Sequence, residues 1–340
     1  MILITGGGGY IGAVAVQSFV RAGYRVRVLD KFLYGLDPLE SVRRRIEIVE
    51  GDICAFDDSV LDGVTAIVHL AGLSNDPTAE FNPEASVRIN AGGTRRIAEA
   101  AKRKGIARFL FASSCAIYDR GAVGEEAVHA EDEAVAPCAA YAKSKRAAEQ
   151  VLLDLADAQF RPVILRQGTV YGWSPRMRYD LVVNTFVKSA FQTGKLTVFC
   201  GGEMWRPLVD VQDVAQCYLA CVEADLDRIG GQIFNVAYGN VRVLDLAVGV
   251  RQALSGIVEA EIVIDRTVQP VRDYRVRTDK IERTLGFRPM VTVEASVRDM
   301  AARIRQGNCA DFENPRYYNI RWMELLTAAE HIVRRTGGVF

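Results

Sequence analysis

Met1-Ile-Leu-Ile-Thr-Gly-Gly-Gly-Gly-Tyr-Ile-Gly12 opens the chain, and Tyr24-Arg-Val-Arg-Val-Leu-Asp30 follows one helix length later. The order is apolar run, glycine turn, Ala/Val-rich stretch, second apolar run and acid. It reads as strand, tight turn, helix and strand, a βαβ unit with a phosphate-binding turn. A dinucleotide pyrophosphate must approach the backbone closely, and glycines keep side chains out of its way. The following helix points free N–H groups and the positive end of its dipole at the phosphates. Gly6, Gly9, Tyr10, Ile11 and Gly12 are therefore candidate cofactor contacts. Asp30 lies 18 residues past Gly12, near the spacing of an acid that accepts both ribose hydroxyls. A 2′-phosphate would face a like charge there, which favours NAD over NADP. Lys31, next door, pulls slightly the other way and joins the cofactor candidates.

The chain has 340 residues, enough for one large domain or two modest ones, and 49% of them are hydrophobic. Lys+Arg and Asp+Glu balance at 42 each, so no charge excess points to nucleic acid or an acidic membrane. No apolar stretch approaches the ~20 residues of a membrane span. The chain begins directly on its first strand, so a cytoplasmic location is expected. Seven cysteines and three histidines show no metal-type spacing, and no metal is expected. Cys217 and Cys221, four apart in an expected helix, suit the core.

Beyond Asp30 the alternation continues. Strands are expected at 46–50, 64–70, 109–112 and 163–166, with helices over 84–104 and 141–158. The fold class that follows is α/β, a Rossmann-like doubly wound parallel sheet. From about Tyr171 the rhythm breaks. Helices are expected at 181–193, 212–223, 244–254, 278–285 and 293–306, with strands at 196–199 and 232–236. Residues 1–170 thus form the expected NAD-binding domain, with about 206–240 returning to it. Residues 171–340 form a smaller mixed α/β substrate domain over the sheet's carboxyl edge, where α/β ligands sit.

Tyr141-Ala-Lys-Ser-Lys145 places a tyrosine and a lysine at i and i+4, on one helix face. A free tyrosine has a pKa of ~10, and lowering it to ~7 needs about 4 kcal/mol of preference for the phenolate. A lysine ammonium and an oxidised nicotinamide can supply that in a water-shielded site. Ser114, at a strand's carboxyl end, is positioned to bond the same substrate hydroxyl. The three are candidate catalytic residues, and Tyr141 and Lys145 also join the cofactor set.

These segments together resemble the extended short-chain dehydrogenases/reductases of the nucleotide-sugar epimerase/dehydratase type, in the layout of the 4-epimerase branch. The resemblance runs over most of the chain. It is carried by Thr5 to Gly12, Asp30, Asp52-Ile53, His69 to Gly72, Asn90 with Gly93-Thr94, Ser113-Ser114 to Tyr118, and Tyr141 to Lys145. It continues through Leu165-Arg166, Tyr171-Gly172, Arg206 to Asp213, and Arg272 ahead of Asp279, Leu285-Gly286 and Pro289. It implies that Asp52 and Ile53 flank the adenine and that Leu70, Ala71, Gly72 and Asn90 also meet the cofactor. It further implies that Arg206 and Arg272 take the diphosphate of a nucleotide-sugar substrate, with Asn184 beside it. By the same resemblance, Tyr141 removes a sugar hydroxyl proton while hydride passes to NAD, Lys145 lowers the tyrosine pKa, and Ser114 orients the hydroxyl. A homodimer joined through the helices over 84–104 and 141–158 is also implied.

The branches share this first oxidation. Family dehydratases and decarboxylases place an acid two residues before the tyrosine corresponding to Tyr118; here that position is Ala116, which cannot move a proton. The expected reaction is therefore epimerisation, most often at C4, with hydride returned to the opposite face. Net dehydrogenation or reduction of the sugar uses the same parts and stays open, a 4,6-dehydratase ranks lower, and a non-catalytic NAD-binding sensor is the remote alternative. Cys115, one residue early for chemistry, is expected to pack. Trp173 fits either a stacking or a core role. Thr169, Trp173, Asp119 and Asp210 depart from the family's usual residues, which leaves the base and the sugar open.

Overall fold

Ile2–Thr5 forms strand β1 with every residue buried, as a parallel strand covered on both faces requires. The computed structural model describes residues 1–119, 127–267 and 273–338. After β1 come α1 (Tyr10–Arg21), β2 (Val26–Asp30), β3 (Ile46–Glu50), β4 (Ala66–His69), α2 (Asp76–Phe81), α3 (Pro83–Val87), α4 (Thr94–Arg103) and β5 (Arg108–Ser114). Then follow β6 (Val128–His129), α5 (Ala140–Leu155), β7 (Arg161–Gln167), β8 (Thr169–Tyr171), α6 (Val182–Thr193), β9 (Lys195–Phe199), β10 (Trp205–Asp210) and α7 (Val211–Glu223). The remainder is α8 (Leu226–Ile229), β11 (Ile233–Val236), β12 (Gly239–Arg242), α9 (Val243–Leu254), β13 (Glu261–Asp265), β14 (Arg275–Val276), α10 (Asp279–Leu285), α11 (Val293–Arg305) and α12 (Asn319–Thr336).

Seven strands make one parallel sheet in the order β3-β2-β1-β4-β5-β7-β11. The chain runs outward from β1 through β2 to β3, then crosses to β4 on β1's other side. That reversal opens a crevice at the carboxyl ends of β1 and β4, the switch point where doubly wound sheets bind ligands. One face of the sheet is covered by α1 and α7, whose Phe19, Val214, Cys217, Tyr218 and Cys221 share a core with Ile4, Val28 and Leu110. The other face packs Leu3, Ile67 and Phe109 against Ile97 and Ala101 of α4 and Ala148 and Leu152 of α5. Segment 205–236 thus supplies β11 and α7 to the first lobe. A separate core around Met177, Tyr179, Val187, Leu246 and Met300 builds the second lobe.

Two expectations need correction. The helix expected over 84–104 runs without a break but is not α throughout. Between α3 and α4 the segment Arg88–Gly93 widens into a π turn, a form that concentrates at functional sites. The wide turn aims Asn90 at the loop after β4, where its amide pairs with both the N–H and the C=O of Leu73. It also seats Gly93 against Ile53, whose Cδ1 lies 2.6 Å from where a Cβ would stand. Helix α12 was not anticipated. It has no side-chain cap at its start and only Asn319 of its 18 residues is buried, so its apolar period has little core to report.

Candidate active site

The glycine turn is held by contacts that admit no side chain. Gly6 has φ 72°, and a Cβ there would lie 2.6 Å from the Ala71 nitrogen, while one on Gly12 would collide with the Gly6 carbonyl. Gly9 is the N-cap of α1 and carries no side-chain cap, and the first turn has no acid. The first-turn amides of α1 have no partner within the helix, and Tyr10, Ile11 and Gly12 line a cavity of about 320 Å³. Asp30 accepts from the Gly8 and Phe32 amides at 2.8 Å each. Burial raises its pKa, and those amides oppose the rise. Lys31 is tied to Asp52 at 3.1 Å, so its ammonium answers a carboxylate of the protein. An unobstructed turn, a row of unpaired amides and an acid at the end of β2 fit NAD. When bound there, it supplies a hydride acceptor.

The same cavity brings together most of the sequence candidates: Gly6, Gly9, Asp30, Lys31, Asp52, Ile53, Leu70, Ala71, Gly72, Ser114 and Tyr141 all line it. Ala116 also lines it. Ser114 ends β5 and caps the short 3-10 turn that follows, accepting from the Ala116 amide at 3.1 Å. Four candidates are placed otherwise. Lys145 lies behind the wall, buried, donating to the Ala112 carbonyl at 2.8 Å. Asn90 locks the loop after β4 and donates to Ser144 at 2.9 Å. Asn184 accepts from the Gly172 amide and donates to the Tyr10 hydroxyl and the Arg178 carbonyl. Arg206 donates to the Trp205 carbonyl on β10 and does not line the cavity. Arg272 lies outside the described residues.

The electrostatics revise the simple tyrosine–lysine picture. Burial pushes the Tyr141 phenol up to about 12, opposed by the neighbouring Ser114 hydroxyl and by the charge of Arg178. Lys145 Nζ stands 6.0 Å from the Tyr141 ring centroid, and burial pushes it down to about 8 against the pull of Glu149. Arg178, which the sequence reading did not single out, lines the same cavity, and its charge favours the phenolate. Its guanidinium grips Asp180 twice, at 2.8 and 3.0 Å, and reaches Ser74 at 3.3 Å. Arg176, two residues earlier, lines the cavity with it.

Below the cavity floor, Glu149 receives Arg166 through two bonds of 3.0 and 2.9 Å and Ser113 at 2.5 Å. Tyr118 accepts from Arg166 and donates to Asn235, both at 2.8 Å. The Cys115 thiol donates to the Arg166 carbonyl at 3.1 Å, and burial raises its pKa; it packs under the site, as expected. Trp173 lies under the Arg303 guanidinium at 5.0 Å and outside that cavity. Among the described residues no cluster suits a metal ion, and no helix is long and apolar enough to cross a membrane.

The sequence model of the NAD dependent epimerase/dehydratase family matches residues 2–237. A dTDP-glucose 4,6-dehydratase of Streptomyces niveus is 30% identical over 308 residues, covering 85% of this chain and 88% of the relative. A UDP-glucuronic acid decarboxylase of Xenopus tropicalis is 27% identical, covering 86% and 69%. In fold, the chain is similar to a UDP-glucuronic acid 4-epimerase from Bacillus cereus solved with UDP-glucuronic acid and NAD. That likeness has a TM-score of 0.76 at 22% identity and covers 90% of this chain and 99% of the other.

Proposed function

The chain belongs to the NAD-dependent epimerase/dehydratase family, and from that premise we propose that it is a nucleotide-sugar epimerase, acting at C4, that keeps its NAD through the cycle. It is an enzyme of the extended short-chain dehydrogenase/reductase type with NAD as its cofactor. The observation that carries the finer reading is Ala116. It lines the cavity beside Ser114 and Tyr141, at the position where the dehydrating and decarboxylating branches keep an acid. The similarity to a dehydratase and a decarboxylase therefore extends to the frame and the first oxidation. Alanine at that position cannot perform the later proton transfers of those enzymes.

Tyr141 takes the C4 hydroxyl proton, and Ser114 holds that oxygen in line. Arg178 and Lys145 favour the phenolate by charge, one from the cavity side and one from beneath. Closure of the site to water strengthens both effects. With NAD bound, the C4 hydride passes to it and comes back to the opposite face of C4; between those events the ring turns over, and Tyr141 returns the proton to the same oxygen. Arg206 and Arg272 hold the nucleoside diphosphate while it does so. Pairing through the 84–104 and 141–158 segments gives a homodimer.

The test is turnover without added cofactor. Purified protein should release NAD on denaturation and interconvert two C4-epimeric sugar nucleotides, and Tyr141→Phe should abolish this. A strict need for stoichiometric NAD or NADH would replace the reading with a net dehydrogenase or reductase. Loss of water or carbon dioxide from the sugar would replace it with lyase chemistry.

A further inference from the structure

Arg176 is 5% exposed, and its Nε has no hydrogen-bond partner. Burial pushes its pKa down to about 10, against the pull of Tyr34 and of the Asp180 carboxylate, with which it makes no direct ion pair. Its contacts are the face of the Tyr34 ring, 3.6 Å from the guanidinium carbon, and the Asn319 side-chain oxygen at 2.5 Å. Among the described residues no carboxylate pairs with it, since Asp180 is engaged by Arg178. A buried cation left without an anion costs several kcal/mol unless something supplies one.

Its surroundings say where that anion lies. Tyr34 follows Asp30, the ribose acid, by four residues. Ser174, two residues before Arg176, donates to the Tyr10 carbonyl at the start of α1 at 2.7 Å. Arg178 stands 6.0 Å over the Tyr10 ring. Asn319 donates to Ser74, just past Gly72, at 2.8 Å. These groups bracket the space between the ribose acid and the unpaired amides of α1, which is where the pyrophosphate of the dinucleotide must run. Arg206, which the resemblance assigns to the substrate diphosphate, does not line this cavity.

We propose that Arg176, held by Tyr34 and Asn319, is a cofactor-binding residue that pairs with the NAD pyrophosphate from the second lobe, opposite the glycine turn. The turn and helix bind one side of the diphosphate, and the 172–180 loop closes the other. The loop is pinned to the first lobe by Tyr10 donating to Gly172 at 2.7 Å and Asn75 donating to Asp180 at 3.1 Å. The inference rests on the cofactor and not on the choice of epimerisation.

The experiment is calorimetric titration of the full chain, freed of endogenous nucleotide on charcoal, with NAD, ADP-ribose and adenosine. Arg176→Met should weaken NAD and ADP-ribose by about 10- to 100-fold and leave adenosine, which has no diphosphate, unchanged. Asn319→Asp, which gives Arg176 a carboxylate of the protein, should act in the same direction and decides the matter alone if the first variant does not fold. ADP-ribose affinity within twofold of wild type would overturn the proposal. A loss of sugar-nucleotide affinity in its place would assign the charge to a substrate anion. A loss shared equally by adenosine would overturn it too, because the residue would then be holding the loop and not the phosphate. None of these readings depends on turnover, so they stand apart from the epimerase test.

Discussion

Two of the buried guanidiniums in this molecule are treated oppositely. Arg166, 2% exposed, sits under the sheet's carboxyl edge with Glu149 matched to it through two bonds and a pKa raised above its ordinary value despite burial. Arg176, at the mouth of the cavity, has a ring and an amide oxygen but no carboxylate, and its pKa falls to about 10. The fold completes the first within itself and leaves the second for something that binds. Lys145 lies between these extremes: buried, bonded to one carbonyl, and held near 8.

The largest expected effect is on the completed pair. Glu149→Gln strands the Arg166 charge among Tyr118, Ser113 and Asn235, and should cost about 3–5 kcal/mol of unfolding free energy by urea titration. A loss under about 1 kcal/mol would show that Arg166 is no better served than Arg176. Next comes Lys145→Met, expected to lower turnover by about 100-fold or more without loss of stability. Its folded pKa of about 8 is below the unfolded value of ~10.4. The stability this group contributes is therefore full above pH 10.4 and declines as pH falls toward 8. At neutral pH the fold carries a cost on the order of 3 kcal/mol for keeping the ammonium, part of which the methionine recovers. Thermal unfolding of the variant at pH 7 and pH 10 checks the sign. The wild-type disadvantage should shrink at the higher pH, and an unchanged difference would contradict it. Arg176→Met, measured without nucleotide by urea titration, should raise stability by about 1–2 kcal/mol, because no ion pair is lost and the cost of an unpaired buried charge is removed. The smallest effect is expected for Lys31→Met. Its bond to Asp52 joins side chains 54% and 35% exposed and should contribute less than about 1 kcal/mol.

The sheet was legible in the sequence because parallel strands buried on both faces read as uninterrupted apolar runs, as at Ile2–Thr5 and Ala66–His69. The glycine turn was legible because only glycine fits where Gly6 meets Ala71 and Gly12 meets Gly6. Tyr141, Lys145 and Ser114 were singled out as candidates by spacing along one helix and one strand end. What spacing could not give was the loop at 172–180, whose meaning depends on partners far along the chain: Tyr10, Ser74 and Asn319. Nor could it separate lining from support. Asn90 and Asn184 have the polarity of ligand contacts, yet bond to Leu73, Ser144, Gly172 and Tyr10. Helix α12 escaped because its apolar residues Leu325, Ile332 and Val333 are exposed, so its pattern serves no core.

The central claim is that hydrogen leaves the sugar as hydride and returns to the same carbon, with no proton drawn from a carbon by an acid or base beside Ser114. The direct measurement is mass analysis of the sugar nucleotide after incubation with the purified protein in D2O, with no cofactor added. The expected result is a C4 epimer with no deuterium on carbon and with a deuterium label pre-placed at C4 retained. Deuterium gained at C5, or a product lighter by water or carbon dioxide, would contradict it.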